Sequence, residues 1–389
     1  MPSLSLNASL LATLAVLAGG ASLDAAARPQ LNDTGIEACL DSFSQIVACG
    51  GTGQDAEFGR DVSRPADGDG RLGFRFTRLC NSGEAAGEGH CPATPAVGQR
   101  RHEWGCTRDE NTGLTWEIKT TDGGRHDAQR NFTFYTPSYD PDGQYGGPHD
   151  ATGFVAAVNA ENFCGASDWR LPTASELMGL VDMGLTTLPP VDQRFLPNTA
   201  ATLFWAAGTV LGTVTGFELA WGSDYGFGFG AISAQFRSDQ RPIRLVRGQP
   251  GPAKRFVVSA DRQQADDGAT GLAWRRCLEG QRFVAGACRG KALSLSWPDA
   301  LARAQAQADE TGVAWRLPNQ KELASLLDHE RARHIDTAVF PPQQVAGTQW
   351  TSSPMMIYRI PRCVSFTNGT TSFCNAPTQL GVRLVRDTR

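Results

Sequence analysis

A basic surplus is missing from this chain of 389 residues: 36 Lys and Arg stand against 40 Asp and Glu, for a formal net charge of −4. A nucleic-acid binder carries a basic domain or stripe, so nucleic acid is excluded as a partner class. Long apolar runs are missing too. The run from Leu10 to Ala18 is too short to cross a bilayer, and no later stretch is long and apolar enough for a membrane helix. The cysteines include no CxxC spacing, which disfavours a zinc site or a thioredoxin-type redox centre. Absent as well are a GxSxG elbow, an HExxH motif and a phosphate-binding P-loop, so no catalytic residue is assigned.

What is present at the start is a secretory pattern. In residues 1–27 the apolar run is followed by small residues suited to cleavage, although no Lys or Arg precedes Arg28. A secreted, periplasmic or cell-surface protein is expected. The ten cysteines fall mostly as near neighbours, Cys39 with Cys49, Cys80 with Cys91, Cys277 with Cys288 and Cys363 with Cys374, leaving Cys106 and Cys164. Closing loops this short stabilises by roughly 2–3 kcal/mol each through the unfolded chain. Disulfides require an oxidising compartment, whereas buried free thiols would fit a cytosolic protein.

The dominant feature is a repeat. Trp169 to Asp182, WRLPTASELMGLVD, returns at Trp315 to Asp328 as WRLPNQKELASLLD. In each, the proline ends a strand and biases the preceding leucine away from helix. Thr173 with Glu176, and Asn319 with Glu322, then have the spacing of a capping box, worth about 1 kcal/mol per cap. Leu177, Leu180 and Val181, like Leu323, Leu326 and Leu327, fall on one helical stripe. Other marks recur in the same order: TGLTW at 112–116 and TGLAW at 270–274, an amphipathic helix, tryptophans at Trp205 and Trp350, and a closing RLVR at 244–247 and 383–386. The expected organisation is a signal over 1–27, a disulfide-stapled, loop-rich lead-in over 28–72, a first unit over 73–247, a linker at 248–253 and a second unit over 254–389. Each unit reads as a strand, two helices and several short strands, an α+β order with mostly antiparallel pairing.

These marks resemble the Lcl C-terminal domain family, named after the end of a bacterial collagen-like surface protein and long a domain of unknown function. The resemblance covers about 80% of the chain. It implies a surface-exposed or secreted bacterial module, with a glycan-binding role proposed for one branch. Some relatives carry a cysteine just ahead of the first helix, where Pro148 and His149 stand here, so the partner of Cys164 stays open. The RLPT-x-x-E element and the terminal strand are also similar to the C-type-lectin-like fold of formylglycine-generating enzymes. On that likeness the fold expectation is α+β: two tandem C-type-lectin-like units, each with two helices and a short-stranded sheet.

Among candidate site residues, the repeated Arg170 with Glu176 and Arg316 with Glu322 are explained without function, by a capping glutamate and an arginine bridging to the terminal strand. The repeated tryptophans, Trp169 and Trp315 included, read as core. Unrepeated aromatics are the better platform for a sugar ring: Tyr135, Tyr139, Tyr145, Trp221 and Tyr225. Asp140 and Asp142 share a glycine-rich loop and offer oxygen ligands to calcium, the one cofactor considered. The reading is an exported, non-enzymatic binding or adhesion module for glycans or other surface polymers. The alternatives are an oxidase-like enzyme using Cys363 or Cys374, and a purely structural envelope component.

Overall fold

Each copy of the repeat is built on a four-stranded antiparallel sheet that brings its first marks beside its last. A computed structural model of the chain describes residues 30–42, 44–59, 62, 68–134, 150–210, 219–226, 228–248, 255–342 and 347–388. The expected signal over 1–27 and nearly all of the linker at 248–253 lie outside the described residues. In the first copy the strand order is Phe76–Cys80, Trp104–Asp109, Thr115–Glu117 and Val246–Arg247. In the second it is Phe256–Val258, Gln264–Asp267, Leu272–Arg275 and Val385–Asp387. Trp116 thereby pairs with Val246, and Trp274 with Val385.

The arginine two residues ahead of each closing strand has a shared role. Arg244 and Arg383 are buried, and each donates to the carbonyl one residue past the paired tryptophan, Glu117 O and Arg275 O, both at 2.7 Å. A planar cation with several donors can satisfy carbonyls that no backbone N–H reaches. A second sheet completes each copy. In the first it has three strands, Leu203–Thr209, Leu219–Asp224 and Ala231–Phe236. In the second it has five, ordered Ser294–Leu295, Leu380–Gly381, Thr348–Met355, Ile360–Ser365 and Thr370–Phe373.

The helices are α1 (Ala151–Ala160), α2 (Ala174–Gly179), α3 (Trp297–Thr311) and α4 (Gln320–Ala324). Asp150 caps α1 by accepting from the N–H groups of Thr152 and Gly153. Ser296 caps α3, which ends at Gly312 in the left-handed region at φ 65°. The elements that follow the two WRLP segments stop after six and five residues. Beyond them the N–H of Leu180 returns to Leu177 O, and that of Leu326 to Leu323 O, so the chain runs on in three-residue turns. Leu180, Val181, Leu326 and Leu327 are buried all the same, from turns rather than from a helical stripe.

This corrects the expected α+β unit framed by two helices. The fold is mostly β, with 30% strand, 14% helix and many small antiparallel sheets carrying four short helices among the described residues. The stripe was misread because leucines three and four apart bury equally well from consecutive tight turns.

The two copies share one core. Leu177, Val181 and Trp221 of the first pack with Leu323, Leu327 and Val364 of the second. Ser175 Oγ on α2 donates to Ala324 O on α4 at 3.0 Å, and the N–H of Ile232 donates to Thr371 Oγ1 at 2.8 Å across two neighbouring edge strands. The lead-in wedges into the same region. Met183 N donates to Thr34 O at 2.6 Å, Arg71 Nε to Asp182 Oδ2 at 2.6 Å, and Asn32 Nδ2 to Asp109 Oδ2 at 2.5 Å. Gly35 makes this fit: its φ is +77°, and a Cβ there would collide with the Asp182 carboxylate.

Five disulfides lock the arrangement: Cys39–Cys49, Cys80–Cys91, Cys106–Cys164, Cys277–Cys288 and Cys363–Cys374. Cys164, whose partner the sequence left open, is tied to Cys106 across 58 residues. All ten cysteines are bonded, which fits an extracellular, oxidising environment. Among the described residues no helix is long and apolar enough to cross a membrane.

Candidate functional site

The two capping boxes show how the same local sequence acquires different surroundings. In the second copy the N–H of Arg316 donates to Val385 O at 2.9 Å, which docks the strand exit on the terminal strand. Pro318 follows the single bridge that Arg316 makes to Val385, and Asn319 caps α4 by accepting from the N–H of Glu322 at 2.8 Å. Glu322 returns a carboxylate oxygen to the N–H of Asn319 at 2.8 Å and takes both Arg316 terminal nitrogens, at 2.6 and 2.7 Å. One carboxylate thus closes a helix start and holds a bidentate ion pair. Thr173, Glu176 and Arg170 repeat the geometry in the first copy, with the pair at 2.8 and 2.7 Å.

What differs is the lead-in, which lies over the second copy's box. Asn319 Nδ2 reaches Asp33 Oδ1 at 3.4 Å, and Lys321 Nζ donates to Asp33 O at 2.6 Å and Gly179 O at 3.0 Å. Lys321 therefore joins the lead-in, the first copy and the second. Asp55 accepts from Thr34 Oγ1 at 2.8 Å and Ser353 Oγ at 2.5 Å. Burial, and then the neighbouring Asp33 charge, push its carboxyl up to about 7. Burial pulls the Lys321 ammonium down to about 7 against the nearby carboxylates. Burial alone would lower Arg316, but the charge and hydrogen bonds of Glu322, together with the charges of Asp387 and Asp33, outweigh it and hold the guanidinium above its ordinary value.

Between the lead-in and the second copy a cleft of about 410 Å³ remains, walled by Asp33, Asp55 and Phe58 on one side and Thr270, Glu322 and Asp387 on the other. Its rim is wet and its floor dry: the Asp387 side chain is 70% exposed, Thr270 only 9%. Thr270 Oγ1 is buried with no hydrogen-bond partner. Gly59, at φ +99°, lets the chain pass against the Asp33 carboxylate, where a Cβ would collide. A second, more apolar cavity of about 550 Å³ lies between the Cys39–Val47 hairpin and α3, against Leu40, Trp297 and Leu301.

Of the residues singled out from sequence, Tyr135, Tyr139, Asp140, Asp142 and Tyr145 lie outside the described residues. Among the described residues no group of three or more His, Cys, Asp or Glu could hold a metal ion. Trp221 and Tyr225 are corrected from an exposed platform to interior residues, each 0% exposed. Tyr225 donates its hydroxyl to Leu177 O at 2.6 Å, and the Trp221 ring lies 4.1 Å from His329 and 5.6 Å from His334 of the second copy. Their strand and turn face the joint between the copies, so the aromatic surface is spent on packing. Trp169 and Trp315 are buried at 2% and 4%.

The cleft itself was not anticipated. Its signal was nonetheless in the lead-in, in the Asp33-Thr-Gly and Gln54-Asp-Ala-Glu-Phe58 runs, which supply Asp33, Asp55 and Phe58 to its lining.

A search of curated proteins finds no match for the chain. The Lcl C-terminal domain family matches it twice, over residues 105–247 and 263–386.

Proposed function

Because the chain belongs to the Lcl C-terminal domain family, with two tandem matches over more than half its length, we propose that it is an exported, non-enzymatic binding or adhesion module for glycans or other surface polymers. It would act outside the cytoplasm, as a secreted, periplasmic or cell-surface protein, with units over 73–247 and 254–389 as its two bodies. Family membership supports a surface or secreted setting, and the five disulfides suit one.

The observation that carries the binding reading is the cleft. It is an open, polar recess where carboxylates, an amide and a hydroxyl converge beside the half-buried Phe58 ring. Such a set can exchange hydrogen bonds with several hydroxyl groups while a ring covers a sugar's apolar face. It stands on a scaffold made rigid by disulfides and two capped helix starts, the arrangement on which binding segments are displayed. The oxidase-like alternative requires a thiol that a substrate can reach. Cys363 is 2% exposed and bonded to Cys374, so the bridge is better read as fixing the hairpin of Ile360–Ser365 with Thr370–Phe373.

A glycan array, followed by calorimetry on the full chain, tests the proposal. Saturable binding that weakens on Phe58→Ala is expected. Silence across neutral, acidic and amino polysaccharides would remove it.

A further inference from the structure

The cleft is not neutral, and its imbalance narrows the ligand. This step rests on the binding role proposed above. The lining holds four acidic side chains, Asp33, Asp55, Glu322 and Asp387, against one guanidinium, Arg316, and of these the buried Asp55 carboxyl gives the least charge because burial pushes it up to about 7. That guanidinium is committed. Glu322 takes both of its terminal nitrogens, it reaches Asp387 at 3.5 Å, and its centre lies 6.0 Å from the Phe58 ring, whose other face is left to the cleft. The nearest ammonium, on Lys321, points the other way, to Asp33 O and Gly179 O. An anion entering here would meet an acidic excess with no cation available to receive it, and like charge in a partly dry recess is strongly unfavourable.

Thr270 stands on the wall that also carries Glu322 and Asp387. Thr270 lines the cleft and its Oγ1 is buried without a partner, and a hydroxyl left so has lost its water without replacement. It can accept from an ammonium or exchange a bond with a hydroxyl. Phe58, half-buried in the same lining, offers a ring face. The volume, about 410 Å³, falls in the range of small-ligand sites, roughly 300–1,000 Å³.

From the acidic excess, the unpartnered hydroxyl and the ring, we infer that the cleft binds a protonated amino group carried on a hydroxylated ring, that is, an amino sugar unit of a polysaccharide. The ammonium lies between Asp33 and Asp387 through charge-assisted hydrogen bonds, the ring hydroxyls reach Thr270 and Asn319, and the sugar's apolar face covers Phe58.

Calorimetry on the full chain with four probes tests this: deacetylated glucosamine oligomers, the same oligomers N-acetylated, neutral glucose oligomers and spermidine. The deacetylated oligomer is expected to bind, to weaken as salt is raised, and to lose at least tenfold in affinity on N-acetylation. Asp387→Asn, an exposed change that leaves the fold intact, is expected to weaken it about threefold, and Thr270→Val about fivefold. Equal binding of the neutral oligomer overturns the charge argument and leaves the broader binding role standing. Equal binding of spermidine overturns the ring. Binding that neither variant weakens places the ligand elsewhere and overturns the assignment to this cleft. Failure of every carbohydrate removes the broader reading along with this one.

Discussion

Glu117 is buried at 0% exposure in the first copy's main sheet, and replacing it with Gln should be among the most damaging single changes in that half of the molecule. Its carboxylate accepts from Lys119 Nζ at 2.7 Å and from the N–H of Leu245 at 2.8 Å, and His126 Nδ1 lies 2.8 Å away. Burial alone would raise this carboxyl, but Lys119 and His126 outweigh it and hold it at about 2. A glutamine keeps the shape but turns an N–H₂ toward groups that are themselves donors, and it leaves the ammonium of Lys119, 3% exposed, without its counter-charge. Breaking a buried ion pair from one side costs about 3–5 kcal/mol, and that is the expected loss in urea unfolding at pH 7 with disulfides intact. Lys119→Met in the same background should recover at least about 1 kcal/mol, because it removes the orphaned charge. A folded-state value below the ordinary 4.5 contributes stability above that value, lost as pH falls toward 2, and the Gln variant should lack this part of the acid loss. A loss below about 1 kcal/mol at pH 7, or an acid profile identical to the parent's, would refute the reasoning.

Two further outcomes are expected. Replacing Cys106 and Cys164 with Ser opens a loop of 58 residues and should cost about 4 kcal/mol, against about 3 kcal/mol for the 11-residue loop of Cys277–Cys288; calorimetric ranking in the opposite order would contradict the chain-entropy account. Asp55 is raised from 3.8 to about 7, chiefly by burial and by Asp33, with Glu322, Lys321 and Arg362 also facing it. Its contribution is therefore fully present below about 4 and lost as pH rises through 7. Asp55→Asn should flatten the fall in stability between pH 5 and 8, and an unchanged slope would show that the carboxyl is already ionised there.

The repeat was legible because its signals are local. Thr173 with Glu176 and Asn319 with Glu322 close their capping boxes over three residues, and Pro172 and Pro318 keep the residue before them out of helix by covalent geometry alone. The tandem family match over 105–247 and 263–386 agrees with this internal spacing. Helix length was misjudged at Leu180 and Leu326, where apolar residues at helical spacing instead face the core from successive turns. Trp221 and Tyr225 were misplaced for a related reason: an aromatic strand shows its periodicity but not which of its faces another part of the chain will cover.

By itself, then, the sequence determined a twofold repeat, its capped helix starts and its cysteine-rich character, because each of these is settled by neighbours a few residues apart. Tertiary structure alone decided that one capping box would be roofed and the other left open. The bonds that roof it join Asp33 to Asn319 across 286 residues and Asp55 to Ser353 across 298. No spacing rule links positions so distant. They meet because the apolar surfaces of the two copies bury one another, leaving the lead-in one polar seam in which its carboxylates find partners.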